Sequence, residues 1–151
     1  EDAGANWLTV HARTKADGYT PPAFWEKIQP ITEALKINVI ANGEIWNNAD
    51  AKACLQQSNC QDIMIGRGAV TTPDLTLCIR QNQDQAILSW QDLVELQQRF
   101  LSGQYKTEVG MIGRYKQWLG MMTKAYPEAQ AIWNQVKKMK QLEDILQQLH
   151  R

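Results

Sequence analysis

The sequence predicts an α/β fold with a parallel sheet, followed by an all-α region. Three observations carry this. Short apolar runs alternate with segments of helical spacing through the first 80 residues. The runs are continuously apolar, as in strands covered on both faces, rather than alternating. No strand signal appears from Ser89 to the end, and a polar stretch, Gln81 to Gln85, precedes the change. The predicted organisation is an α/β part over 1–80, a linker over 81–88 and a helical part over 89–151.

The elements follow in order. Trp7 to His11 reads as a first strand. Ala23 to Lys36 has helical spacing, with Pro30 kinking or splitting it. Ile37 to Ala41 is a second strand, Asn48 to Gln57 a short helix, and Asp62 to Ile65 a third strand. Pro73 to Arg80 is a helix with proline near its start. Ser89, with Asp92 three positions on, predicts an N-cap, and Gly103 ends that helix. Thr107 can cap the next, which carries Ile112, Tyr115, Leu119 and Met122 at spacings of three and four. Beyond Pro127, Ile132, Val136, Met139, Leu142, Leu146 and Leu149 mark one continuous stripe. Three or four such helices form a small bundle.

Composition narrows the class. With 44% hydrophobic and 21% charged residues, the chain is not of the disordered type. No apolar run approaches the roughly 18 residues that span a bilayer, so no membrane association is expected. Cys54, Cys60 and Cys78 include no CxxC pair, which predicts neither a disulfide framework nor a metal site and suits a reducing compartment. With no export signal visible, a cytoplasmic location is expected. The chain starts without methionine and reaches a strand seven residues in, so a fragment of a longer protein is one expectation.

The formal net charge is zero, yet unevenly placed. Residues 1–80 hold 7 basic and 9 acidic side chains, residues 81–151 hold 9 and 7. Between 106 and 140 there are 7 basic residues, including Arg114, Lys116 and Lys137, against 2 acidic ones, interleaved with Tyr105, Tyr115, Trp118, Tyr126 and Trp133. Such a patch suits a phosphate backbone, and equally a merely solvated face.

All three predicted strands end in polar or glycine-rich residues: His11-Ala12-Arg13-Thr14, then Asn42-Gly43-Glu44, then Gly66-Arg67-Gly68. In parallel α/β folds these ends meet at one rim. Glycines let a backbone approach a ligand, and Arg67 supplies a forked cation. A helix beginning near Pro73 adds free N–H groups, so two adjacent clusters of this kind suggest a phosphate site rather than two plain turns. His11 and Arg13 share one side if the strand continues through them, suited to a ring carbonyl or a second phosphate. A structural histidine bonded to a backbone carbonyl is the alternative for His11.

In this order, Val10-His11-Ala12-Arg13-Thr14, Ile40-Ala41-Asn42-Gly43-Glu44 and Met64-Ile65-Gly66-Arg67-Gly68-Ala69 resemble the motifs of the tRNA-dihydrouridine synthase family. Gly113 to Met121 is similar to a segment of that family's helical domain, and the later half is most similar to the bacterial C type. Ala12 and Glu44 stand where many members have Gly and Asp. The resemblance implies the C-terminal part of a TIM (β/α)8 barrel carrying FMN, its last three βα units, followed by a helical-bundle domain that binds tRNA. It implies reduction of a D-loop uridine, at nucleotide 16 for the C type, to 5,6-dihydrouridine, with NADPH reloading the flavin. By position, Asn42, Gly43, Glu44, Gly66 and Arg67 would line the FMN phosphate and ribitol site, and His11 would lie near the flavin ring or the substrate base. Arg13 is a candidate substrate contact, and the basic surplus makes Arg114, Lys116 and Lys137 the candidate tRNA contacts. The family's proton-donating cysteine belongs to the part preceding these motifs, so no catalytic residue is expected in this chain. The chain alone is expected inactive, and the full-length protein monomeric. Two other readings remain: an FMN barrel acting on a small pyrimidine-like molecule, and a non-catalytic RNA-binding module.

Overall fold

The computed structural model of the protein describes residues 1–103 and 107–149. Tyr105 and Lys106 of the basic segment lie outside the described residues. The chain divides into two compact units, Glu1–Ala69 with Pro73–Gln85, and Val70–Thr72 with the chain from Ala86 onward.

In the first unit three parallel strands stand in sequence order: β1 (Trp7–His11), β2 (Asn38–Asn42) and β3 (Asp62–Met64). His11 pairs with Asn42, and Asn42 with Met64, so the carboxyl ends of all three finish abreast. The sequence predicts strands covered on both faces. Val39 and Ala41 of β2 are buried, but β1 is an edge strand of the described sheet, and its Trp7 is 63% exposed. Of the two readings for the segment around Pro30, a kink or a split, the structure shows the split. A 3-10 turn spans Trp25–Lys27, and α1 (Gln29–Ala34) follows, with Pro30 in its first turn, where a missing N–H costs nothing.

The second helix, α2 (Asn48–Ser58), starts where the Asn47 side chain accepts from the Asp50 N–H at 2.8 Å. Its Ala51 and Cys54 pack with Ile28, Val39, Ala41 and Ile45 in one core. A short α3 (Arg67–Thr71) begins directly after Gly66, earlier than the helix predicted near Pro73, and α4 (Leu75–Arg80) follows. The buried Asn48 amide donates to Asn82 Oδ1 (3.0 Å) and Asp84 Oδ1 (3.2 Å). Those bonds fasten residues 81–85 of the predicted linker to α2.

The second unit holds α5 (Trp90–Leu101), α6 (Glu108–Met122), α7 (Pro127–Val136) and α8 (Leu142–Leu149). Ser89 and Asp92 form a reciprocal capping box at α5, and Thr107 caps α6. Leu93, Leu101, Ile112, Leu119, Met122, Val136, Ile145 and Leu149 build the core. Burying each of these large side chains contributes about 1.5–3 kcal/mol relative to exposure. The buried Tyr115 hydroxyl donates to Gln97 Oε1 at 3.0 Å, and burial raises its pKa. The stripe predicted as continuous from Ile132 to Leu149 breaks after Val136, and the Lys116 ammonium donates to the Lys137 and Met139 carbonyls in the gap. No helix among the described residues is long and apolar enough to cross a membrane.

Candidate functional site

The three strand ends open onto one cleft of about 290 Å³. His11 reaches it from β1, and Tyr19 from the loop that follows. Asn42 to Trp46 form its wall after β2, and Met64 with Gly66 to Gly68 its wall after β3. Parallel strand ends gather such residues because every crossover returns the chain to the amino-terminal end of the next strand, leaving all carboxyl ends on one side.

Local rules shape the wall. The Asn42 amide donates to the Met64 carbonyl at 2.7 Å, tying the end of β2 to that of β3. Gly43 has φ +126°, a conformation side chains rarely adopt, and a Cβ there would sit 3.1 Å from the His11 ring. Its carbonyl accepts from Trp25 Nε1 at 2.7 Å. Gly68 has no room for a side chain, since a Cβ would lie 2.0 Å from the Ile45 carbonyl oxygen. Gly66 faces open space, so its backbone is accessible from the cleft.

A charged cluster centres on Glu44, itself at φ 52°. Its Oε1 accepts from Arg67 Nη2 at 2.6 Å and lies 2.9 Å from Arg13 Nη2. Its Oε2 accepts from Trp46 Nε1 at 3.0 Å. Partial burial pushes the Glu44 carboxyl up, but the Trp46 hydrogen bond and the Arg13 and Arg67 charges outweigh it, so its pKa is lowered. The Arg67 guanidinium lies 4.9 Å from the Tyr19 ring centroid and 5.3 Å from that of Trp46, within cation–π reach of both.

Arg13 is placed differently from expectation. β1 ends at His11, so strand alternation does not carry on to Arg13. Its side chain is 1% exposed, beneath Glu44 rather than open to a substrate, and its Nε donates to the Pro22 carbonyl at 3.2 Å. Its Nη2 is taken up by the Glu44 carboxylate, while Nη1 has no hydrogen-bond partner among the described residues.

The six residues expected at a cofactor, His11, Asn42, Gly43, Glu44, Gly66 and Arg67, all line this one cleft. Sequence reasoning missed Tyr19 and Trp46. Their signal was a large aromatic inside a glycine- and proline-containing loop and another two residues beyond the Asn-Gly-Glu turn.

The other expected tRNA residues, Arg114, Lys116 and Lys137, belong to the helical unit. Arg114 and Lys137 are exposed, whereas Lys116 is half-buried with its ammonium on two backbone carbonyls. Tyr115 and Tyr126 of the aromatic pattern are core residues, and Trp118 and Trp133 pack against that core.

All three cysteines are buried and none lines the cleft. Burial, then the neighbouring Cys60, pushes the Cys54 thiol up to about 12. Among the described residues no three His, Cys, Asp or Glu side chains group to hold a metal ion.

An open, glycine-walled cleft with a forked cation suits a ligand that is anionic at one end. Its volume is near the lower end of the about 300–1,000 Å³ usual for cofactor sites. The model of the dihydrouridine synthase family matches residues 1–151. A tRNA-dihydrouridine(16) synthase of Shewanella oneidensis is 43% identical over 99% of this chain and 48% of its own length. One of Pseudomonas putida is 42% identical over 91% of the chain and 44% of its own length, and one of Haemophilus influenzae 38% over 96% and 47%. The chain spans about half the length of these curated relatives.

Proposed function

The chain belongs to the dihydrouridine synthase family, and from that premise we propose that it is part of an FMN-dependent enzyme reducing uridine 16 of tRNA to 5,6-dihydrouridine, with NADPH as electron donor. The observation that carries this reading is the convergence of His11, Asn42-Gly43-Glu44 and Gly66-Arg67 on one cleft at the carboxyl ends of parallel strands. The three strands are then the last βα units of a (β/α)8 barrel, and the helical unit is the tRNA-binding domain.

The residues present fit a flavin nucleotide. Arg67, with the open backbone at Gly66 and the turn at Gly43, would hold its phosphate and ribitol. Asn42 braces the two strand ends that carry these loops. His11, at the end of β1 and against the Gly43 turn, would border the flavin ring or the uracil. When bound, reduced FMN supplies a hydride to the uracil double bond. The buried cysteines of this chain are unsuited to the accompanying proton transfer, Cys54 most clearly because its thiol is so weak an acid. Arg114 and Lys137 are the proposed direct contacts to the tRNA backbone. Lys116 contributes from below, by holding the carbonyls of the segment that bears Lys137.

One experiment tests the reading. The full-length protein, purified as wild type and as Arg67→Ala, is assayed for bound flavin and for dihydrouridine at position 16 of tRNA. The wild type is expected to be yellow and active, with FMN affinity in the variant weakened by roughly 1–3 kcal/mol, the worth of a charged hydrogen bond. A colourless, inactive wild type overturns the function, and unchanged flavin affinity in the variant removes Arg67 from the site.

A further inference from the structure

We propose that Glu44 is a positioning residue: its carboxylate bridges Arg13 and Arg67 and holds the Arg67 guanidinium at the cleft wall, ready for the anionic end of a ligand it does not itself touch. The inference rests on the reading of this cleft as a flavin-nucleotide site and specifies what Glu44 does there.

Both carboxylate oxygens are already engaged. Oε1 lies 2.6 Å from Arg67 Nη2 and 2.9 Å from Arg13 Nη2, while Oε2 is 3.0 Å from Trp46 Nε1. A carboxylate turned toward a phosphate would repel it, so a direct contact is the wrong chemistry for this side chain. Turned toward two arginines, it cancels one of their charges and allows both to sit against one oxygen. Arg67 is the member that needs holding. Its side chain is 42% exposed, whereas that of Arg13 is 1% exposed and anchored to the Pro22 carbonyl.

Without Glu44 the long Arg67 side chain is free to swing into water, and a ligand must then order it at an entropic cost. The Trp46 and Tyr19 rings narrow that freedom but carry no formal charge. Trp46 is itself fixed, its backbone N–H donating to Asp50 Oδ2 at 2.9 Å. The bridge therefore runs from a buried anchor, Arg13, through Glu44 to the exposed arginine.

The test uses the full-length protein, with FMN as titrant, in a double-mutant cycle of Glu44→Gln and Arg67→Ala. Glu44→Gln keeps the length but not the charge, and is expected to weaken FMN binding about tenfold, within the range of a charged hydrogen bond. In the Arg67→Ala background the same change is expected to alter binding by less than about twofold, because its effect passes through Arg67. Glu44→Asp, which keeps the charge, is expected to recover most of the loss, and Glu44→Asn, uncharged and tolerant of the positive φ at this position, takes the place of Glu44→Gln in the cycle should that variant not fold. Fully multiplicative effects, or unchanged binding in Glu44→Gln, overturn the proposal. A second readout needs no ligand: the Arg67 Nε–H resonance and its relaxation, followed by NMR, should show an ordered guanidinium in the wild type and a mobile one in the substituted protein. Equal order in both overturns the proposal even where FMN does not bind, whereas an ordered wild-type Arg67 with no FMN binding overturns only the cofactor reading.

Discussion

Gly66 and Gly68 flank Arg67, and a methyl group meets opposite fates at the two. At Gly68 it would lie 2.0 Å from the Ile45 carbonyl oxygen and 2.9 Å from Leu75 Cδ2, so backbone must move. At Gly66 it meets nothing within 4 Å. Gly68→Ala is therefore expected to cost about 2–3 kcal/mol of stability, at the upper end of overpacking effects, and Gly66→Ala less than about 1 kcal/mol. Denaturant midpoints of the two variants check this, and equal midpoints would refute the packing assignment. Glu44 makes a second prediction at this scale. Its folded-state pKa lies below the ordinary 4.5, so its contribution to stability is present above that value and is lost as pH falls through the depressed folded value. Glu44→Gln should flatten that part of the acid limb of the stability curve and leave the neutral plateau parallel to wild type. That the motif residues meet in one cleft was legible in the sequence, because the carboxyl ends of parallel strands share a rim. The partnership of Arg13 with Glu44 was not, since alternation along a strand says nothing once the strand has ended at His11.

At the scale of elements, the signals that proved reliable were those with a mechanism at a fixed offset. Ser89 and Asp92 form the cap their spacing predicts, and Pro30 marks the split, rather than the kink, that its reading offered. The strands were found to within a residue or so, but the extension of β2 to Asn42 is set by pairing with Met64, a long-range contact. The helix over Arg67–Thr71 was missed because five residues are too few for a periodic pattern and two of the first residues around it are glycines. The break between α7 and α8 was hidden for a different reason. Apolar spacing continues across it, while the carbonyls freed there are satisfied by Lys116 from α6. This gives Lys116 a structural duty that a count of surface charges does not reveal. Lys116→Met, which keeps the apolar stem, is expected to cost about 1–2 kcal/mol through the lost charged hydrogen bonds. Amide exchange over residues 137–141 should quicken in the variant, and unchanged protection there would show that the ammonium holds nothing.

For the whole molecule, neutrality is an average over two units of opposite charge balance. The unit that bears the cleft is slightly acidic, and the helical unit carries the basic surplus between 106 and 140. That division was visible in the sequence, because charge and the loss of strand signal change together near residue 85. The place of the interleaved aromatics was not legible, since spacing does not tell a stacking surface from a core. Tyr115 is fully buried and Tyr126 8% exposed, so neither is available to a base. The cations of the proposed tRNA surface act on the phosphate backbone, and the signature of that contribution is dependence on salt rather than on base identity. Each phosphate neutralised adds about 0.7–0.9 to the slope of log affinity against log salt. Removing Arg114 and Lys137 together should lower the magnitude of that slope for the full-length protein by about 1–2, with affinity falling most at low salt and converging with wild type as salt rises. Lys116→Met serves as the comparison, expected to change the slope less than the pair because its ammonium faces backbone carbonyls. An unchanged slope in the double variant would remove the surface from tRNA binding, and a larger change in Lys116→Met would reverse the roles given to these three residues.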